Sequence, residues 1–212
     1  MPILKHWNER GAVWGIWKVT ESADDLYALL SPLSAVQSEL EQLKSPSRQL
    51  EYLAVRVLIK TLLGKECLIS HEPSGKPVFA ELTYHLTISH TKGYVAVGIH
   101  PDKEIGIDIE YVAERVRKVT PRFVRKDELP GLENHDSSDQ LYELLLVWSA
   151  KETLFKVLNL SEVDFLEHLH IKPFTLYGTG TLSGCEYRTK NGKSYIISYL
   201  THPDFVCTYV VE

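Results

Sequence analysis

Asp108 and Glu110 stand two residues apart in the stretch Glu104-Ile105-Gly106-Ile107-Asp108-Ile109-Glu110. In a strand, alternation sends both carboxylates to one face and the isoleucines to the other. Carboxylates roughly 7 Å apart along a strand repel unless they are solvated, paired with bases or bridged by a cation. Magnesium suits such a pair, because it takes one or two protein carboxylates and fills its shell with water and substrate phosphate. A solvent-facing edge strand with solvated charges accounts for the same residues. The segment Trp148-Ser149-Ala150-Lys151-Glu152-Thr153-Leu154-Phe155-Lys156 adds a second group, since positions 148, 152, 155 and 156 share one helix face. Glu152 there is a candidate third metal carboxylate, and Lys156, one turn on, a candidate phosphate contact. The plainer reading is an amphipathic helix with Trp148 and Phe155 in the core and a Glu152–Lys156 surface pair of little energetic value.

The first half of the chain offers groups that can hold an anion. Ser74-Gly75-Lys76-Pro77 reads as a turn presenting a lysine. Ser89-His90 ends the apolar run Leu86-Thr87-Ile88 just before another begins at Gly93. Arg48 lies near the start of a helix, where free N–H groups and the helix dipole favour anions. Each also has a structural account: a turn, a strand end, a solvated arginine.

These residues need elements to position them. Leu50, Leu53, Ala54, Val57, Leu58 and Leu62 have the spacing of one helix face, with Ser45-Pro46 as N-cap and first turn and Gly64 as the stop. A second helix runs from the Asp136-Ser137-Ser138 cap region through Leu141, Leu144, Leu145, Trp148 and Phe155 to near Asn159. Three segments recur in order. Gly15-Ile16-Trp17-Lys18-Val19 resembles Gly106-Ile107-Asp108-Ile109-Glu110, the helix at Leu53 to Leu63 resembles that at Trp148 to Leu158, and Ser89 to Val97 echoes Leu200 to Thr208. The offset grows along the chain, as loop insertions would make it. Strands are expected at Tyr94 to Ile99, Ser194 to Tyr199 and Phe205 to Val211. The expected architecture is α+β, built as two similar halves, 1–102 and 103–212, with the boundary near Pro101-Asp102-Lys103 and the acidic set in the second half.

Bulk properties narrow the function. A chain of 212 residues, 44% hydrophobic and 24% charged, has ordinary globular composition. Its net charge of −5 gives no global attraction to nucleic acid or an anionic membrane, so an anionic substrate must be met locally. Cys67, Cys185 and Cys207 show no metal spacing and read as reduced thiols. Met1-Pro2-Ile3-Leu4-Lys5-His6-Trp7-Asn8-Glu9-Arg10-Gly11 carries charges where a signal peptide is apolar, and no apolar run approaches the roughly 18 residues needed to span a bilayer. A cytoplasmic protein is expected.

Gly75-Lys76-Pro77, Ser89-His90, Gly106-Ile107-Asp108-Ile109-Glu110 and Trp148-x-x-Lys151-Glu152-x-x-x-Lys156 occur in the order and spacing of the phosphopantetheinyl transferases of the surfactin-synthetase-activating type, which this chain resembles over nearly its whole length. The resemblance implies two halves forming a pseudo-dimer, with coenzyme A, the co-substrate, in the cleft between them. It places magnesium on Asp108, Glu110 and Glu152. It puts phosphate contacts on Lys156 and more weakly on Lys151, the ribose 3′-phosphate on His90 and Arg48, and the nucleotide side on Lys76 and Ser89. The implied reaction moves phosphopantetheine to a serine of an acyl or peptidyl carrier protein and releases 3′,5′-ADP. Lys156 is then catalytic, and the serine proton goes to Glu152 first, or to Glu128, which matches an acidic position the family uses near the metal.

Arg115, Arg117, Lys118, Arg122, Arg125 and Lys126 form a basic stretch in an acidic protein, either a solvated helix face or the docking surface for an acidic carrier protein. With both sides of the cleft in one chain, a monomer is expected, with no nucleic acid or membrane partner. The segment Ser31 to Leu40, read as a loop, departs from the family by lacking bases for the 3′-phosphate, which puts coenzyme A affinity in question. Two readings compete: a nucleotide phosphohydrolase using the same carboxylates with water, and a non-catalytic coenzyme A or carrier-protein binding module.

Overall fold

The computed structural model describes residues 3–31, 34–128 and 137–212, the side chains of Ser34, Ala35 and Ser137 excepted. The chain falls into two compact units, Met1–Asp102 and Lys103–Glu212. In the first, β1 (Ile3–Glu9) and β2 (Ala12–Lys18) form a hairpin. Arg10 and Gly11, with φ of 51° and 83°, make the two-residue turn whose twist suits adjacent strands. Ile3–Glu9, within the stretch read above only as unlike a signal peptide, are therefore an edge strand.

Three helices follow: α1 (Ala23–Ala28), α2 (Ser34–Gln42) and α3 (Pro46–Leu63). Reading Ser31 to Leu40 as a loop is corrected by α2, which buries Val36 and packs Leu40 against the same core. Val36 and Leu40, a turn apart among mostly exposed neighbours, give this short helix its inward face. Ser45 precedes α3, but its hydroxyl bonds the Ser47 hydroxyl at 2.8 Å instead of a backbone N–H; Gly64, at φ 70°, ends the helix. The strands β3 (Ile69–His71), β4 (Pro77–Phe79), β5 (His85–Thr91) and β6 (Tyr94–His100) complete an antiparallel sheet in the order β1-β2-β6-β5-β4-β3. Leu53, Ala54, Val57 and Leu58 of α3 pack with Trp17, Leu86, Val95 and Val97 of the sheet.

The second unit begins with β7 (Ile105–Tyr111), then α4 (Arg115–Val119), a 3₁₀ turn over Thr120–Arg122, and α5 (Ser137–Leu158). Asp136, expected in the α5 cap, lies outside the described residues. β8 (Leu169–Ile171), β9 (Thr179–Glu186), β10 (Lys193–Thr201) and β11 (Phe205–Val211) join β7 in an antiparallel sheet ordered β7-β11-β10-β9-β8. Its core gathers Leu146, Ala150 and Leu154 of α5 with Ile171, Leu182, Ile197 and Val206. The architecture is α+β with two antiparallel sheets. The order β2-β6-β5-β4-β3 in one sheet and β7-β11-β10-β9-β8 in the other is the same path, each with its long helix inserted after the first strand.

Two glycines make the correspondence physical. A Cβ on Gly15 would lie 2.9 Å from Leu58 and 3.0 Å from Leu62 of α3, and one on Gly106 would lie 2.5 Å from the Thr153 carbonyl and 2.7 Å from Val157 of α5. Each strand thus touches its helix where a side chain is missing. At Gly106 the obstacle is helix backbone, which cannot swing aside. Gly106→Ala is expected to cost about 3 kcal/mol and Gly15→Ala, meeting only leucine ends, about 1 kcal/mol. Urea unfolding of the two variants measures the difference, and equal costs would contradict it. Among the described residues, no helix is long and apolar enough to cross a membrane.

Candidate active site

The close approach at Gly106 sets α5 against one face of β7, and Asp108 and Glu110 follow on that face at period two. Lys156 Nζ donates to Asp108 Oδ1 at 2.9 Å and to the Ile107 carbonyl at 2.8 Å. Trp148 Nε1 donates to Glu110 Oε1 at 2.7 Å. Asp108 is only 4% exposed, so a solvated edge strand does not describe it. Nor does a plain amphipathic helix describe α5: Phe155 is 39% exposed, and Lys156 reaches the strand.

Glu152 lies a turn from both Trp148 and Lys156. Burial, and then the charges of Asp108 and Glu110, push its carboxyl up to about 7 against the pull of Lys156. Glu110 is raised as well, by burial first and Asp108 second, while the Trp148 hydrogen bond pulls it back. Asp108 thus raises the proton affinity of both glutamates, and carboxylates crowded in this way are a donor set suited to a hard divalent cation. Among the described residues, no three acidic, histidine or cysteine side chains are already gathered as a metal-holding group, and Lys156 supplies the counter-charge beside Asp108.

The raised carboxyls make a pH prediction for metal-free protein. Both hold protons more tightly folded than unfolded, so their contribution is complete below the ordinary glutamate value of 4.5 and is lost as pH rises to about 7. In EDTA, the thermal midpoint is expected to fall by a few degrees across that window. Glu152→Gln should flatten the decline, and an unchanged slope would remove Glu152 from the coupled set.

Glu110 and Glu152 border a cleft of about 770 Å³ in the second unit, floored by Trp148, Phe155 and Phe165. Arg115, Lys118 and Arg122 line the same cleft. Two further bases of the stretch are employed differently. Arg117 bonds Glu114 and Gln140, and Arg125 pairs with Asp127 and donates to the Leu166 carbonyl.

Two expected site residues are buried and bonded to protein groups. Lys151 is fully buried, and its ammonium donates to the Phe123 carbonyl at 2.6 Å, the Phe165 carbonyl at 3.0 Å and Glu128 Oε2 at 3.0 Å. An ammonium has three N–H groups, so none remains for a phosphate. Glu128, 3% exposed, also accepts from the backbone N–H groups of Arg125 and Ile171, at 2.6 and 2.7 Å. A carboxylate held in this way is not placed to take a proton from a docked serine.

In the first unit a cleft of about 370 Å³ collects Arg48, Gly75, Pro77 and His90, together with Arg56 and His71, which the sequence reading missed. The signal was there: Arg48, Glu51, Tyr52, Val55 and Arg56, at helical spacing, all line it. Carboxylates occupy two of its bases. His90 Nδ1 lies 3.3 Å from Glu51, and Arg56 bonds Glu39 at 2.9 Å while stacking on Tyr52. The turn expected at residues 74–77 is the β3–β4 hairpin, with Gly75 at φ 88°, but Lys76 itself is not among the lining residues. Ser89, adjacent to His90 in β5, is buried on the opposite strand face and is not brought to the cleft.

The sequence profile of the 4′-phosphopantetheinyl transferase superfamily matches residues 104–210, just over half of the chain. The chain belongs to that superfamily, and the matched span contains β7, α5 and the acidic group. It is 30% identical over 113 residues to the 4′-phosphopantetheinyl transferase gsp of Aneurinibacillus migulanus, covering 51% of this chain and 46% of the relative. It is 32% identical over 94 residues to the 4′-phosphopantetheinyl transferase psf-1 of Bacillus pumilus, covering 44% and 40% respectively. The matches thus span less than half the length of each of these curated relatives.

Proposed function

We propose that this protein transfers 4′-phosphopantetheine from coenzyme A to a serine hydroxyl of an apo carrier protein, in a magnesium-dependent reaction that releases 3′,5′-ADP. The observation that carries the reading is the facing of β7, with Asp108 and Glu110, by α5, with Glu152 and Lys156, where Lys156 pairs with Asp108 and the two glutamates border a cleft rimmed by bases. The repeated strand order supports reading the chain as a pseudo-dimer of two related units.

Asp108, Glu110 and Glu152 would hold the metal, which when bound supplies charge neutralisation at the pyrophosphate. The serine oxygen forms a bond to the phosphorus of the phosphopantetheine group. The bond from that phosphorus to the bridging oxygen breaks, and the electron pair leaves with 3′,5′-ADP. Lys156, already directed at Asp108, is placed to stabilise charge as it moves to the leaving oxygen. Glu152 takes the serine proton, directly or through a water; Glu128, bound in its ion pair, does not. Arg48 and His90 serve the 3′-phosphate, in a cleft whose bases are partly matched by Glu51 and Glu39. Arg115, Lys118 and Arg122 draw in an acidic carrier protein.

Intact-mass analysis of an apo acyl or peptidyl carrier protein, incubated with this protein, coenzyme A and Mg²⁺, tests the proposal. A gain of one phosphopantetheine group that EDTA abolishes is expected. Release of phosphate without modification of any carrier would replace the proposal with nucleotide hydrolysis.

A further inference from the structure

Lys151 and Glu128 form a fully buried ion pair, and their engagement with protein groups removes the tasks that the resemblance gave them. Lys151 Nζ binds the carbonyls of Phe123 and Phe165, and Glu128 binds the N–H groups of Arg125 and Ile171. One ion pair therefore pins two chain segments, 123–128 and 165–171, to α5.

The two carbonyls that Lys151 holds belong to the two residues whose rings flank Trp148. Phe123 stands edge-on to the indole at 5.1 Å and Phe165 is tilted against it at 5.6 Å. Trp148 in turn directs its N–H at Glu110 Oε1. The connection is continuous: buried ion pair, two backbone carbonyls, two phenyl rings, one indole, one carboxylate.

We propose that Lys151 and Glu128 are positioning residues that build the slot for Trp148 and, through its indole N–H, orient the Glu110 carboxylate. This rests on the reading of Glu110 as a metal ligand. A hydrogen bond from an outer group fixes the direction of a ligating oxygen, and removing such a partner weakens metal binding by about 10–100-fold. Lys151 does this with no contact to substrate or metal, because all three of its N–H groups are spent on protein oxygens.

The test is a double-mutant cycle read by Mn²⁺ binding in electron paramagnetic resonance. Lys151→Met and Trp148→Phe are each expected to weaken Mn²⁺ binding by about 10-fold or more, and the double variant no further than Trp148→Phe alone. Affinity for 3′,5′-ADP without metal should not change in Lys151→Met. Additive losses, unaltered Mn²⁺ affinity, or weakened metal-free nucleotide binding would each overturn the proposal, the last by making Lys151 a phosphate ligand. If Lys151→Met does not fold, Glu128→Gln enters the same cycle, with the same direction expected. A metal-free readout separates this inference from the functional one: in protein labelled with 5-fluorotryptophan, the Trp148 fluorine resonance should move in the variant. Failure of the wild type to bind Mn²⁺ would sink the metal reading, whereas a stationary Trp148 resonance would sink the positioning role.

Discussion

Asp108→Asn and Glu152→Gln should each reduce carrier modification by on the order of 10³-fold while leaving the fold in place. Both substitutions keep the side chain's shape and remove a charge. At Asp108 the amide oxygen can still accept from Lys156, which retains the Ile107 carbonyl as a second partner. At Glu152 the neutral side chain relieves repulsion among the acids, so the metal-free variant gains stability near neutral pH as it loses function. Opposite signs for stability and activity mark a site whose residues are kept for their chemistry. Initial rates alongside near-ultraviolet circular dichroism check both. Near-wild-type activity in either variant would refute the assignment of these carboxylates to the metal.

Reversing Arg115, Lys118 and Arg122 together to Glu should raise KM for an acidic carrier protein by on the order of 100-fold at low ionic strength, with kcat nearly preserved. All three line the cleft that Glu110 and Glu152 border, so six units of charge change where the carrier would approach. Near 0.5 M salt, where screening shortens the range of charge to a few ångströms, the deficit should shrink to a small factor. Arg117→Glu, a change of the same sign nearby, should do much less, because that guanidinium is engaged with Glu114 and Gln140. A deficit insensitive to salt would mean that the three bases contribute by packing or by holding substrate.

The parts of this protein that could be read from sequence are those with a short period. Gly106, Asp108 and Glu110 share a face because a strand repeats every two residues, and Trp148, Glu152 and Lys156 do so because a helix repeats near every three and a half. Both geometries are local, and both appear in the structure. Lys151 could not be read the same way. Within its motif it looks like one more base beside an acid, and its burial is decided by Phe123, Glu128 and Phe165, which lie 14 or more residues away. The same holds for Glu128, whose partners include Ile171. Arg56 was legible by period and was missed because it carries no motif. α2 was legible by period too, since Val36 and Leu40 stand four residues apart on one helix face and pack on the core.

When Gly15 is laid on Gly106 and Leu53 on Trp148, Trp17 stands in place of Asp108, Val19 in place of Glu110 and Val57 in place of Glu152. Trp17 and Val57 are buried, and all three belong to one apolar cluster. Repetition of one topology thus permits a division of labour that a single copy could not reach. One copy closes the space between strand and helix with hydrocarbon and takes the full stabilisation of doing so. The other leaves mutually repelling acids in the same space and accepts a weaker core there. Tolerance to substitution should follow that division: an acid placed at Trp17 or Val57 would cost the first unit its core, whereas apolar residues at Asp108 or Glu152 would cost the second only its chemistry.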